Sequence, residues 1–217
     1  MLLLKDLEKH LQKALKTFLQ PKGFKKKADE FIRPSELGTN RLEPIITYYA
    51  TEGSWIDFAV SVHVNQLDEV YRNFHQSYRG YVDDNYSPII ATLTEIKSIP
   101  NPYKGDIMAL EDINIALESF YKDYNEHIES FLEYYSSIEN IEKHVNNSYN
   151  LEEDGQFISP LFKAQTGIIL ANLIKRKDIN DVFQGYVNSW KTSIDDEEQK
   201  KEQIEELEKL MEFLGYA

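Results

Sequence analysis

The spacing of apolar residues changes character midway along this chain, and that change restricts the folds open to it. Up to about residue 100 the apolar positions alternate by twos in short segments, the period of a half-buried strand; beyond it they recur by threes and fours, the period of a helix. The pattern predicts an α+β protein: a small N-terminal antiparallel sheet of about four strands packed with helices, followed by a mostly helical C-terminal half. With no fixed-period repeat and no low-complexity linker, residues 1–217 read as a single domain, a sheet layer over 1–100 and a helical layer over 101–217.

Residues 2–20 form the first helix, with Leu4, Leu7, Leu11, Leu15, Phe18 and Leu19 on one side and lysines on the other, stopped by Pro21 and Gly23. Three strand segments follow, Asp29–Arg33, Leu42–Ala50 and Trp55–Val64, as a meander. In the third, Ile56, Phe58, Val60, Val62 and Val64 share a core face, whereas Asp57, Ala59, Ser61 and His63 line a face that is small, polar or partly covered. Asn65 caps a helix through Leu67, Val70, Tyr71, Phe74 and Tyr78 that Gly80 closes, and Ile89–Ile96 is a fourth strand.

The strongest helical signal runs from Ile113 to Tyr135. A capping box at Ser136 and Glu139 starts a short helix, Ser159 and Pro160 start another that ends near Lys175-Arg176-Lys177, and Val182–Trp190 forms the next. The acidic run Asp195-Asp196-Glu197-Glu198 opens a last helix to Leu214, where negative charge offsets the helix dipole.

Composition narrows the function classes. Hydrophobic residues at 41% and aromatics at 12% supply a proper core and exclude disorder. Lys5, Asp6, Glu8 and Lys9 interrupt the opening leucines before a signal-peptide core accumulates, and no apolar stretch is long enough for a membrane span. With no Cys, disulfides and thiolate metal sites are absent, and cytoplasmic residence is the simplest expectation. Residues 1–34 hold nine Lys/Arg against four Asp/Glu and the remainder fifteen against thirty-three. So negative a body repels phosphate backbones, so nucleic-acid binding is not expected, whereas a basic protein would be drawn in faster.

The chemistry-bearing residues form no recognised constellation. Among His10, His63, His75, His127 and His144 there is no helical His-Glu-x-x-His pair; Asp123 and His127 share a helix face, but two ligands do not close a metal site. Singly scattered glycines make no phosphate-cradling loop, and Ser54 after Gly53 is a turn serine rather than a nucleophile elbow. No catalytic residue, metal or cofactor is therefore expected. The one candidate ligand-binding set is Trp55, Ser61 and His63, on the mixed face of the third strand, where His63 would orient a ligand or act as a base. Lys25-Lys26-Lys27 reads as a solvated strand edge.

The segment Gly23-Phe24-Lys25-Lys26-Lys27-Ala28-Asp29-Glu30-Phe31-Ile32-Arg33, with a Leu/Lys helix before it and the Leu67-Asp68-Glu69-Val70 helix start after it, resembles a bacterial family of domain-of-unknown-function proteins. These begin with a helix, a Gly-Phe-Lys-Lys turn and a Phe-x-Arg strand, and the similarity covers about the first eighty residues. The resemblance implies an α+β fold without enzymatic activity, and a role as an immunity protein that neutralises a cognate toxin. The first expectation is thus a non-catalytic protein-binding module. The alternatives are a small-molecule binder or enzyme at Trp55, Ser61 and His63, and a structural subunit of an assembly; oligomeric state is not legible.

Overall fold

The computed structural model describes residues 4–49, 53–78, 87–97, 104–105, 107, 109–149, 160–193 and 196–216. Its antiparallel sheet is N-terminal and its C-terminal half is mostly helical, as the change of period requires. The chain divides into two compact units, the first comprising Met1–His63 and Ile89–Ser136 and the second Val64–Pro88 and Ser137–Ala217.

The first unit is built on the sheet. Helix α1 (Leu4–Leu19) buries Leu7, Leu11, Leu15 and Leu19 and ends in a short 3-10 turn, Gln20–Lys22. There Gly23 adopts φ 87°, Gly23 N–H donates to the Gln20 carbonyl at 3.1 Å and Phe24 N–H to that of Leu19 at 3.2 Å. This is the left-handed helix stop that glycine adopts without steric cost. It drops Phe24 into the core and starts β1 (Lys25–Lys27), whose three lysines are all exposed on the sheet edge. The order continues β2 (Glu30–Pro34), β3 (Gly38–Tyr49), β4 (Gly53–Val64) and β5 (Ile89–Thr92), with β6 (Lys104–Gly105) also paired to β4. Register places Phe31 opposite Leu42, Val62 opposite Ile89 and Trp55 opposite Lys104.

Ile56, Phe58, Val60, Val62 and Val64 of β4 are all buried. Phe58 stacks on Phe120 at 3.9 Å between ring centroids, seating α4 (Leu110–Asp123) on that face, and α1 joins α4 through Phe18 on Tyr121 at 4.2 Å. The expected strand Ile89–Ile96 stops short. At Thr92 the chain turns into α3 (Leu93–Lys97), because Thr92 and Glu95 form a reciprocal cap: the Glu95 carboxylate accepts from Thr92 N–H at 2.6 Å, and Glu95 N–H donates to the Thr92 hydroxyl at 3.3 Å. The β-branched residues suggested a strand and masked this Thr-x-x-Glu signal.

The second unit is helical. It contains α2 (Asn65–Tyr78), α6 (Ile138–Val145), α7 (Pro160–Leu173), α8 (Ile179–Ser193) and α9 (Glu197–Phe213), while α5 (Glu129–Tyr134) belongs to the first unit. The cap of α6 is Ser137, which accepts from Asn140 N–H, rather than Ser136, whose hydroxyl donates back to the Glu133 carbonyl. The expected signals at Gly80 and Ser159 lie outside the described residues. Asp196 caps α9, accepting from Glu198 N–H at 2.9 Å and Gln199 N–H at 3.0 Å.

Helix α7 is the hub of this unit: every residue from Lys163 to Ala171 is buried, the mark of a helix packed on all sides. Tyr71 of α2 stacks on Phe162 and hydrogen-bonds Thr166 at 2.8 Å. On another side a polar network crosses the core. Arg176 donates to the buried Glu142 at 2.7 Å; Asn146 donates to Glu142 at 2.8 Å and to the Gly167 carbonyl at 3.0 Å; Tyr186 donates to Asn146 at 2.7 Å. This close approach depends on Gly167 having no side chain, since a Cβ there would stand 2.2 Å from the Asn146 oxygen and 2.4 Å from the Tyr186 hydroxyl. Helix α7 closes in the same stop as α1, with Arg176 N–H on the Ala171 carbonyl at 2.9 Å, but the left-handed position is Lys175 at φ 57°.

Two substitutions of opposite sign follow from these helix features. Gly167→Ala gains about 1 kcal/mol of helix propensity yet overpacks the Asn146 and Tyr186 contacts, so a net loss of about 1–3 kcal/mol is expected as a lowered urea midpoint with unchanged slope. Lys175→Gly relieves the left-handed strain and is expected to raise stability by about 0.5–1 kcal/mol in the same assay; a lowered midpoint would refute the assigned stop.

Candidate functional site

Polar chemistry in the first unit gathers where α4 passes into α5 through a π-helical turn, Tyr124–Ile128. There Glu129 N–H bonds the Tyr124 carbonyl five residues back. In a regular helix residues five apart point in different directions; the widened turn brings the Tyr124 and Glu129 side chains together, and the phenol donates to the carboxylate. From β2, Arg33 closes a bidentate pair on the same carboxylate, Nη1 to Oε1 at 3.0 Å and Nη2 to Oε2 at 3.1 Å. Its guanidinium lies 4.7 Å from the Phe24 ring centroid. Lys22 sits over the rings of Phe18 and Tyr124 and donates to Asn125 at 3.0 Å.

These contacts set the local ionisation. Burial, then the bond to Glu129, pushes the Tyr124 phenol well above its ordinary value. Burial alone would raise Glu129 as well, but the hydrogen bonds from Arg33 and Tyr124 and the charges of Arg33 and Lys22 outweigh it and hold the carboxyl below the usual range. The arrangement locks sheet to helix: Arg33 and Tyr124 both donate to Glu129.

The same turn places Asp123, Glu126 and His127 with ligand atoms within 4.8 Å of one another, one more donor than the Asp123 and His127 spacing suggests. Asp123, 6% exposed, already receives Lys97 at 2.6 Å, and Lys122 stands 4.0 Å from Glu126. A cation bound there would have to displace Lys97 from a buried ion pair, at a substantial electrostatic cost.

Trp55, Ser61 and His63 all lie on β4. Trp55 and Ser61 are half-buried and His63 is buried. Ser61 and His63 are neighbours on one face, but Trp55 is six residues away, about 20 Å along a strand. On the same face the Asp57 carboxylate is taken by Phe58 N–H at 2.8 Å and by the Thr94 hydroxyl of α3 at 2.8 Å. The three residues therefore do not converge on one reacting atom.

A different feature lies on the second unit. Asn180, Phe183 and Gln184 of α8 with Met211 and Tyr216 line a groove of about 350 Å³ between α8 and α9, bordered by Glu208 and Glu212. An adjoining hollow of about 510 Å³ shares Glu208 and continues past Ile204 to Lys191. Sequence reading takes Met211 as a docking residue of α9, which its burial bears out, but a groove between two helices leaves no signature in either one alone. Among the described residues no helix is long and apolar enough to cross a membrane. Compared with protein-family models, curated proteins and solved structures, the chain matches none.

The Arg33–Glu129 pair predicts a specific acid response. Because the folded pKa of Glu129 is depressed, its stabilisation is complete above its unfolded value of about 4.3 and is lost as pH falls through the lower folded value. Glu129→Gln is expected to lower the urea midpoint at pH 7 and to lose less further stability than the parent between pH 5 and 3. Parallel acid limbs in the two proteins would remove the pair as their cause.

Proposed function

We propose that this chain is a non-catalytic protein-binding module of the bacterial cytoplasm, of the kind that neutralises a cognate toxin. One observation carries the reading: where uncompensated charge lies. Arg33 is matched by Glu129, Lys97 by Asp123 and Arg176 by Glu142, each pair within one unit. The exposed face of α9, by contrast, presents carboxylates beside an apolar groove, on a chain of net charge −13. Such a surface speeds encounter with a basic partner and supplies apolar area for it to bury.

The spread of Trp55, Ser61 and His63 along β4 favours this reading over an enzyme, since general-base chemistry needs donor, base and substrate within hydrogen-bond reach. The resemblance over Gly23–Arg33 points the same way. The expectation is that a neighbouring gene encodes a toxin and that the two purified chains, mixed at micromolar concentration, co-elute in size-exclusion chromatography. Separate elution at that concentration would sink the proposal.

A further inference from the structure

Helix α9 breaks two local electrostatic rules at one place. Each of its three lysines is held by a glutamate of the same helix: Lys200 by Glu197 at 2.7 Å, Lys201 by Glu205 at 3.7 Å and Lys209 by Glu206 at 2.6 Å. Of the seven glutamates, Glu198, Glu202, Glu208 and Glu212 are exposed and make no ion pair among the described residues; of these four, Glu208 and Glu212 are the two that border the groove between α8 and α9. They stand one turn apart on the same face, where like charges repel. Glu212 also stands in the last turn of the helix, which holds no basic residue, so the helix dipole opposes it as well.

Both carboxylates border the groove that Phe183, Met211 and Tyr216 line. The adjoining hollow holds Lys191 and the pairs Lys200–Glu197 and Lys201–Glu205, so Glu208 and Glu212 are the lining carboxylates that make no ion pair among the described residues. Glu208 and Glu212 thus cost the helix stability without an ion pair in return, the kind of local conflict that functional surfaces retain.

We propose that the groove between α8 and α9 docks a cationic amphipathic helix of a partner protein, whose Lys or Arg side chains meet Glu208 and Glu212 while an apolar side chain enters beside Phe183 and Met211. Two carboxylates one turn apart match two cations one turn apart on the incoming helix, because both helices share the same rise. An apolar face laid into a groove between charged rims is a recurring mode of helix recognition. A phosphate-bearing partner would meet repulsion from the same carboxylates. The inference rests on the protein-binding reading and adds to it the surface and the chemistry of the partner.

The test uses a peptide of about 18 residues, long enough to form a helix, built from Leu and Lys at amphipathic spacing, with a Leu/Glu peptide as its opposite. Binding is followed by fluorescence anisotropy to the full chain, to Glu208→Gln/Glu212→Gln and to Glu198→Gln/Glu202→Gln, which makes the same charge change on α9 away from the groove. The Leu/Lys peptide is expected to bind, with the groove variant weaker by about tenfold or more and the other variant within about twofold. The groove variant should also melt at a higher temperature than the parent, as relief of repulsion requires. No binding to the parent, equal weakening in both variants, or a groove variant that melts no higher would each overturn the proposal. If the toxin mixture fails to co-elute while peptide binding is lost only in the groove variant, the immunity reading falls and the groove stands. If co-elution survives unchanged in the groove variant, the groove falls and the module reading stands.

Discussion

The first unit depends on β4. It is hydrogen-bonded to β3 on one edge and to β5 and β6 on the other, and its Ile56, Phe58, Val60, Val62 and Val64 side chains are all buried. A strand in that position has no freedom of register, because a slip of one residue would exchange Ile56, Phe58, Val60, Val62 and Val64 for Asp57, Ala59, Ser61 and His63. The stack of Phe58 on Phe120 extends the constraint to α4, and the π-helical turn after α4 then aims Tyr124 and Glu129 at Arg33. Sheet, helix and ion pair are thus one chain of consequences.

Helix α7 plays the corresponding part in the second unit with different chemistry. A helix buried on every side cannot be all apolar when its neighbours also bring polar groups, and those groups must find partners. Here Glu142, Asn146, Tyr186 and Arg176 satisfy one another and the Gly167 carbonyl. Removing Asn146 takes a hydrogen bond from Glu142, from Tyr186 and from the Gly167 carbonyl at once, which makes such a network cooperative.

Charge is distributed on a common logic. Arg33, Lys97 and Arg176 are matched within their unit by Glu129, Asp123 and Glu142, and surplus carboxylates remain on solvated helix faces, where water screens them. Glu208 and Glu212 are two of these carboxylates, and they lie beside Phe183, Met211 and Tyr216.

Local signals on the chain were enough for much of this: the alternation in β4, the glycine stop at Gly23, the lysines of β1, the acidic start of α9 and the α+β class itself. Each depends on residues within a turn or a strand of one another, so neighbouring side chains decide it. Thr92 and Glu95 were equally local, and were hidden only because β-branched residues around them favour a strand. Other features join residues far apart. Arg33 meets Glu129 across 96 positions, Tyr186 meets Asn146 across 40, and the α8–α9 groove exists in neither helix separately. Tertiary structure alone decided these, because a side chain's partner across the core follows from how whole elements pack, and packing direction is not written in the spacing of any single one.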